Sequence, residues 1–123
     1  MPAYALAHLR TPTINDEVLE YIERIQGTME PYGGHFLVHG AEVEVVEGEW
    51  PGTVVIIEFP GVEQARAWYT SDAYQEILPM RTDNIEGDAL LVPGVPPNYD
   101  ARRTAERLRA EGLRAEGWRA ERG

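Results

Sequence analysis

His35 and His39 stand four residues apart in PYGGHFLVHG, residues 31–40. On a helix that spacing puts both imidazoles on one face, close enough to share a metal ion. The residues between them, Phe36, Leu37 and Val38, read instead as a strand that follows a Gly33–Gly34 corner. On a strand, residues four apart share a face but lie about 13 Å from each other, at roughly 3.3 Å per residue. One metal ion with ligand bonds near 2.1 Å cannot join them. His8 lies on another run and supplies no third ligand that the sequence can place. No metal site is expected. His35 alone, at a strand start beside a flexible corner, suits a general acid or base, because an imidazole titrates near pH 6.5. Its ordinary reading is a partly exposed, hydrogen-bonded strand residue. His39, next to Gly40, is expected on the surface.

Five other positions can contact a substrate. Tyr32, Trp68 and Tyr69 (with Tyr74) supply aromatic walls with polar tips, or they pack as core between helix and sheet. Trp50 in EGEWPG sits on a loop, where it can lid a pocket or enter a subunit seam. Arg81 is one of only four arginines in residues 1–100. It can grip a carboxylate-bearing ligand bidentately or pair with one of the many glutamates. Glu58, between Ile57 and Phe59, either faces solvent at the sheet's edge or sits in a pocket with a raised pKa, the next candidate for proton transfer after His35. No glycine-rich phosphate loop, nucleophile elbow or dinucleotide fingerprint occurs, and no cofactor is expected.

Composition narrows the classes further. With 123 residues, 43% of them hydrophobic, the chain can form one domain with a proper core. The absence of cysteine excludes disulfides, thiolate zinc sites and a cysteine nucleophile. No apolar run approaches the roughly 20 residues needed to cross a bilayer, and MPAYALAHLR lacks the features of a signal peptide. A cytoplasmic location without membrane contact is the expectation. The net charge is −10, yet residues 101–123 hold seven of the eleven arginines and four glutamates, a local +3 that leaves −13 on residues 1–100. A body that acidic repels phosphate backbones, so nucleic acid is not an expected partner.

These residues must be positioned by a short series of elements. AYALAHL, residues 3–9, reads as a strand covered on both faces. Thr13 or Asn15 then caps a helix in which Val18, Ile22, Ile25 and Met29 recur at helical spacing, until Pro31 and the glycines stop it. HFLVHG, EVEVVEG and TVVIIEF follow as strand-like runs. Residues 60–78 return to helix, with Ser71 capping a second turn and Pro79 kinking or ending it, and DALLVPGV is the last strand. The order β-α-β-β-α-β predicts an α+β fold, a four-stranded antiparallel sheet with two helices on one face. VVII and ALLV are apolar on both pleat faces, so the uncovered side calls for a second copy of the chain, a homodimer.

The expected domain is residues 1–97. Residues 98–123 form an Arg/Glu/Ala-rich extension with a five-residue repeat, TAERL RAEGL RAEGW RAERG. Leu108, Leu113 and Trp118 step around a helix without forming a stripe, and Gly112 and Gly117 weaken it by about 1 kcal/mol each. The extension is either a marginal helix outside the domain or an arm that wraps a partner subunit.

PYGGHFLVHG, VEVVEGEWPGTVVIIEFP, ARAWYTSDAYQEILPMR and GDALLVPGV together resemble the family of unknown function numbered 1330, within the dimeric α+β barrel superfamily. The similarity runs over residues 2–97 or so, four segments in the right order. The resemblance implies a ferredoxin-like fold and a barrel-forming dimer. It implies no reaction, although superfamily relatives include cofactor-free monooxygenases and lactone isomerases. One departure is His35, where many members carry Arg or Lys. The expected function is binding, or cofactor-independent transformation, of a small organic molecule, aromatic or carboxylate-bearing. His35 would move the proton, Arg81 hold the anion, and Tyr32, Trp68 and Tyr69 line the site. The alternative is a non-catalytic dimerisation module.

Overall fold

The computed structural model describes residues 1–11 and 13–112. Strand β1, Ala3–Leu9, leads to helix α1, Asp16–Met29, whose cap is Asn15: its side chain accepts a hydrogen bond from the Val18 amide at 2.9 Å. Capping answers one of the four amides that a helix start leaves unpaired. A single 3₁₀ turn at Glu30–Tyr32 and the glycine corner deliver the chain to β2, His35–His39. β3, Thr53–Phe59, precedes helices α2, Val62–Tyr69, and α3, Asp72–Thr82. β4, Gly87–Pro93, completes the sheet, and α4 follows at Ala101–Glu111.

The four strands pair antiparallel in the order β2-β3-β1-β4. This is the ferredoxin-like arrangement that the element order predicted. In register, Ala3, Ala5 and Ala7 of β1 lie opposite Phe59, Ile57 and Val55 of β3, and they alternate with Tyr4, Leu6 and His8 on the other face. The first set joins Tyr21, Ile25, Met29, Trp68, Tyr74 and Ile77 in the core, so α1, α2 and α3 share one face of the sheet. The largest fully buried side chains are Tyr74, Phe59, Met29, Ile77 and Val18.

Three expectations need correction. EVEVVEG forms no strand: residues 41–52 are a loop, with Val46 86% exposed. Its alternating pattern finds no neighbouring apolar surface, and a strand pattern is stable only where one face is covered. Residues 60–78 hold two helices, the second starting after Ser71 as the sequence suggested. Ser71 caps α3 separately, accepting from the Tyr74 amide at 3.3 Å. Pro79 does not end α3, which runs on to Thr82. The missing N–H removes one helical hydrogen bond, and burial of Ile77 and Arg81 on either side holds the helix together. Finally, the buried stripe of α1 runs Val18, Tyr21, Ile25, Thr28 and Met29, so three of the four expected positions are buried and only Ile22, 39% exposed, sits at its edge. Of the C-terminal repeat, Leu108 lies on α4, while Leu113, Gly117 and Trp118 lie outside the described residues.

The loop after β2 is pinned where it rejoins the sheet. Gly52 has φ +90°, and a Cβ built on it would stand 1.8 Å from the Leu9 carbonyl oxygen. Gly40, at the loop's start, has φ +85° with nothing within 4 Å. Gly40→Ala should therefore cost only the left-handed conformation, about 1–2 kcal/mol. Gly52→Ala adds a backbone clash and should cost at least about 3 kcal/mol. Urea denaturation of the two variants checks this, and equal losses would remove the steric argument.

Candidate functional site

The helix face of the sheet is floored with small residues. Ala5 and Ala7 on β1 and Ala89 on β4 leave space that the large side chains of α1 do not fill. The result is a cavity of about 590 Å³ between helices and sheet. Its walls are mostly apolar: Val18 and Ile25 from α1, Val55 and Ile57 from β3, and Leu91 from β4. Trp68 adds an aromatic wall, its indole N–H already satisfied by the Thr28 hydroxyl at 3.0 Å. Its ring lies 4.2 Å from that of Tyr74 and 5.3 Å from that of Phe59.

One charged group faces this space. Arg81 is 8% exposed, and its Nε donates to the Tyr21 hydroxyl at 3.3 Å. The Tyr21 and Tyr74 hydroxyls share a hydrogen bond of 2.7 Å, and the guanidinium carbon stands 5.8 Å from the centre of the Tyr21 ring. Burial, reinforced by Tyr74, pushes the Tyr21 phenol well above its usual range, so it stays protonated. Burial opposes the charge on Arg81, but the Tyr21 and Tyr74 phenols outweigh it and leave the pKa above the ordinary arginine value. Among the described residues no carboxylate reaches Arg81, whereas Arg10 and Arg102 each have one and Arg24 has two. The ion pair with a glutamate that the sequence allowed for Arg81 is absent from these pairs.

The other candidates divide between the two faces of the sheet. Trp68, Tyr69 and Arg81 line the cavity. Tyr32 packs against the core without reaching the lining. His35 and Glu58 are register partners on the opposite face, where His35 Nε2 and Glu58 Oε1 are 3.1 Å apart. Tyr4 joins them: burial, then its hydrogen bond to Glu58, raises its phenol pKa. Trp50 stacks on His8 at 4.0 Å, also across the sheet from the cavity, and His8 Nε2 lies 2.6 Å from the Pro51 carbonyl oxygen. Within one chain, then, His35 and Glu58 do not share a site with Arg81.

Two residues of the site escaped the sequence reading. Tyr21 sits one position before Ile22; both line the cavity, with Tyr21 buried and Ile22 at the edge. His39 is displaced by a bulge. Phe36 pairs with Ile57 and Val38 with Ile56, so Leu37 is the extra residue. A bulge of one residue reverses the alternation beyond it. His39, opposite Val55, therefore turns to the cavity face and leaves His35 on the other. The two imidazoles do not share a face after all. His39 lies flat on Phe36, with ring centres 4.2 Å apart and planes within 6°. It lines the cavity together with Ile14 and Gly40 while remaining exposed, as expected, and partial burial lowers its pKa.

Among the described residues no group of three or more His, Asp or Glu side chains comes together as a metal site, and no helix is long and apolar enough to cross a membrane. The model of a family described as a domain of unknown function (DUF1330) matches residues 2–95. Among solved structures, the chain is similar to the RPA0582 protein of unknown function from Rhodopseudomonas palustris, at 17% identity over 78% of this chain and 84% of that one, with a TM-score of 0.59. SnoaB, a cofactor-independent oxygenase from Streptomyces nogalater, matches at 10% identity over 80% and 98% of the two chains, with a TM-score of 0.56. A dimeric ferredoxin-like protein of unknown function from Thermobifida fusca matches at 17% identity over 76% and 92%, with a TM-score of 0.53. At these identities the likeness is one of fold. No curated protein matches the chain.

The position of His39 has a pH signature. Its folded pKa is depressed by burial, so the unfolded chain takes up the proton first as pH falls below about 6.5. The contribution of neutral His39 is present in full above that value and is lost as pH falls through the folded pKa. His39→Gln should flatten this part of the stability profile between about pH 7 and 5. Denaturation midpoints of both proteins across that range check it; parallel profiles would place His39 outside the apolar wall.

Proposed function

The chain belongs to the DUF1330 family, and we propose that it binds a small, largely apolar organic molecule carrying an anionic group, with Arg81 as the anion's partner. One observation carries this reading: a cavity of about 590 Å³ whose single cation is 92% removed from solvent without a carboxylate beside it among the described residues. Only neutral phenols partner this charge, and a ligand carboxylate would add an anionic partner through two parallel hydrogen bonds. The volume falls in the range of small-molecule sites. Trp68, Tyr69 and Tyr74 offer ring faces, so an aromatic body fits the lining. Cofactor-independent transformation of the bound molecule is the catalytic form of the same proposal. The fold neighbour SnoaB is a cofactor-independent oxygenase.

Calorimetric titration with 3-nitrobenzoate and its uncharged amide, 3-nitrobenzamide, tests the assignment. The acid should bind at least about tenfold more tightly than the amide, and Arg81→Gln should bring the two affinities together. Equal affinities for acid and amide in the unaltered protein would take the anion site away from Arg81, whatever the variant does to folding.

The second part of the proposal is a homodimer closed through the open face of the sheet. Leu6, Val38, Val54 and Ile56 lie on that face beside Leu90, 51% exposed, and Val92, 41% exposed. A second copy would remove this contiguous apolar surface from water, and the Thermobifida fusca neighbour is described as dimeric. His35, Glu58 and Trp50 then belong to the seam between subunits. The domain is residues 1–97, and the extension from residue 98 lies outside it. A dimerisation module without a ligand is the alternative that this face also supports. Light scattering at micromolar concentration should give twice the mass of one chain, for the full chain and for one ending at residue 100. A monomer in either case would overturn the corresponding part.

A further inference from the structure

We propose that His39 is the proton acceptor of the cavity, and that the ligand pairs an acidic hydroxyl, phenolic or enolic, with the anionic group held by Arg81. The inference rests on the reading of the cavity as a small-molecule site and names the chemistry at its second polar position.

The geometry is specific to this chain. Without the bulge at Leu37, His39 would point with His35 to the open face, and the edge of the cavity at β2 would carry no polar side chain at this position. Bulges recur next to functional sites because they re-aim one side chain while the rest of the strand keeps its pairing. Here the re-aimed side chain is an imidazole laid flat on Phe36, on the β2 side of a mostly apolar cavity.

The surrounding groups leave His39 alone in this role. From β3 it meets Val55, with Thr53 beyond; from its own strand it meets Phe36. The helices contribute the phenols of Tyr21 on α1, Tyr69 on α2 and Tyr74 on α3, together with the Arg81 guanidinium. No carboxylate lines the cavity among the described residues. Phenols and a guanidinium do not accept a proton at neutral pH. An imidazole held neutral by its apolar flank does.

The transfer balances within the site. The ligand's O–H bond breaks, its electron pair stays on the oxygen, and an N–H bond forms on His39. The products are a phenolate or enolate beside an imidazolium. The ligand then carries two negative charges, matched by Arg81 and protonated His39, and the net charge of the site is unchanged. An activated enolate or phenolate is also the form in which such a molecule reacts without a cofactor.

The test uses 4-hydroxy-3-nitrobenzoate, whose nitrophenol is colourless when protonated and yellow when ionised, with 3-nitrobenzoate as the analogue lacking the hydroxyl. In the unaltered protein the bound nitrophenol should titrate about one pH unit or more below its value free in solution, because an imidazolium beside it favours the anion. In His39→Gln, at ligand concentrations that saturate the variant, it should move up by about one unit or more. An unshifted bound nitrophenol in the unaltered protein, or the same shift in His39→Gln, overturns the proposal. If 3-nitrobenzoate binds and only the titration fails, the loss is confined to His39; if 3-nitrobenzoate does not bind, the small-molecule reading falls with it.

Discussion

The tie between Tyr21, Tyr74 and Arg81 is the interaction on which the rest of the structure turns. It joins α1 to α3 through a 2.7 Å phenol–phenol bond and a 3.3 Å contact from the guanidinium, above a floor of alanines. A conventional core would let α1 settle onto the sheet. Here the alanines are too short to meet it, and α1 is held from the side by α3. Space is left between, and the fold tolerates it because the polar atoms of the tie satisfy one another. Each such bond is worth only about 1 kcal/mol net, but an orphaned group at this depth would cost more. Two jobs therefore rest on the same residues. They anchor the helix layer, and they present a cation to the space beneath it.

The faces of the sheet divide the remaining polar groups. On the helix side, the charge of Arg81 is confined among phenols and aliphatic walls. On the open side, Tyr4, Glu58 and His35 form a connected row, and His8 supports Trp50. A strand alternates its side chains, so neighbours in sequence are assigned to different surfaces and different work. Ile57 is core while Glu58 is not, and the same step separates Phe36 from His35. Proximity in sequence carried no information about proximity in the site.

What could be read in advance follows the same physics. β1 and β3 were plain because their apolar residues occupy both pleat faces, and α1 was plain because Asn15 caps a clean 3.6-residue period. Arg81, Trp68 and Tyr69 were found by type and scarcity. Two features were not legible. EVEVVEG has a strand's pattern, and only the absence of a partner surface keeps it a loop. The bulge at Leu37 depends on the neighbouring strand: nothing in HFLVH says which residue will be skipped by β3. The identity of the histidine that enters the cavity was hidden for that reason alone.

That bulge also lies on an edge. β2 is the outermost strand on its side of the sheet, and its free backbone groups are a template on which another molecule's strand could add. A straight edge of alternating His, Phe, Leu, Val and His would invite such stacking. With Leu37 out of register, the outward amides and carbonyls no longer form the even ladder that an incoming strand needs. The extra residue thus guards the protein against edge-to-edge aggregation. A chain that lost it to restore regular pairing would exchange a crooked, self-limiting border for a sticky one.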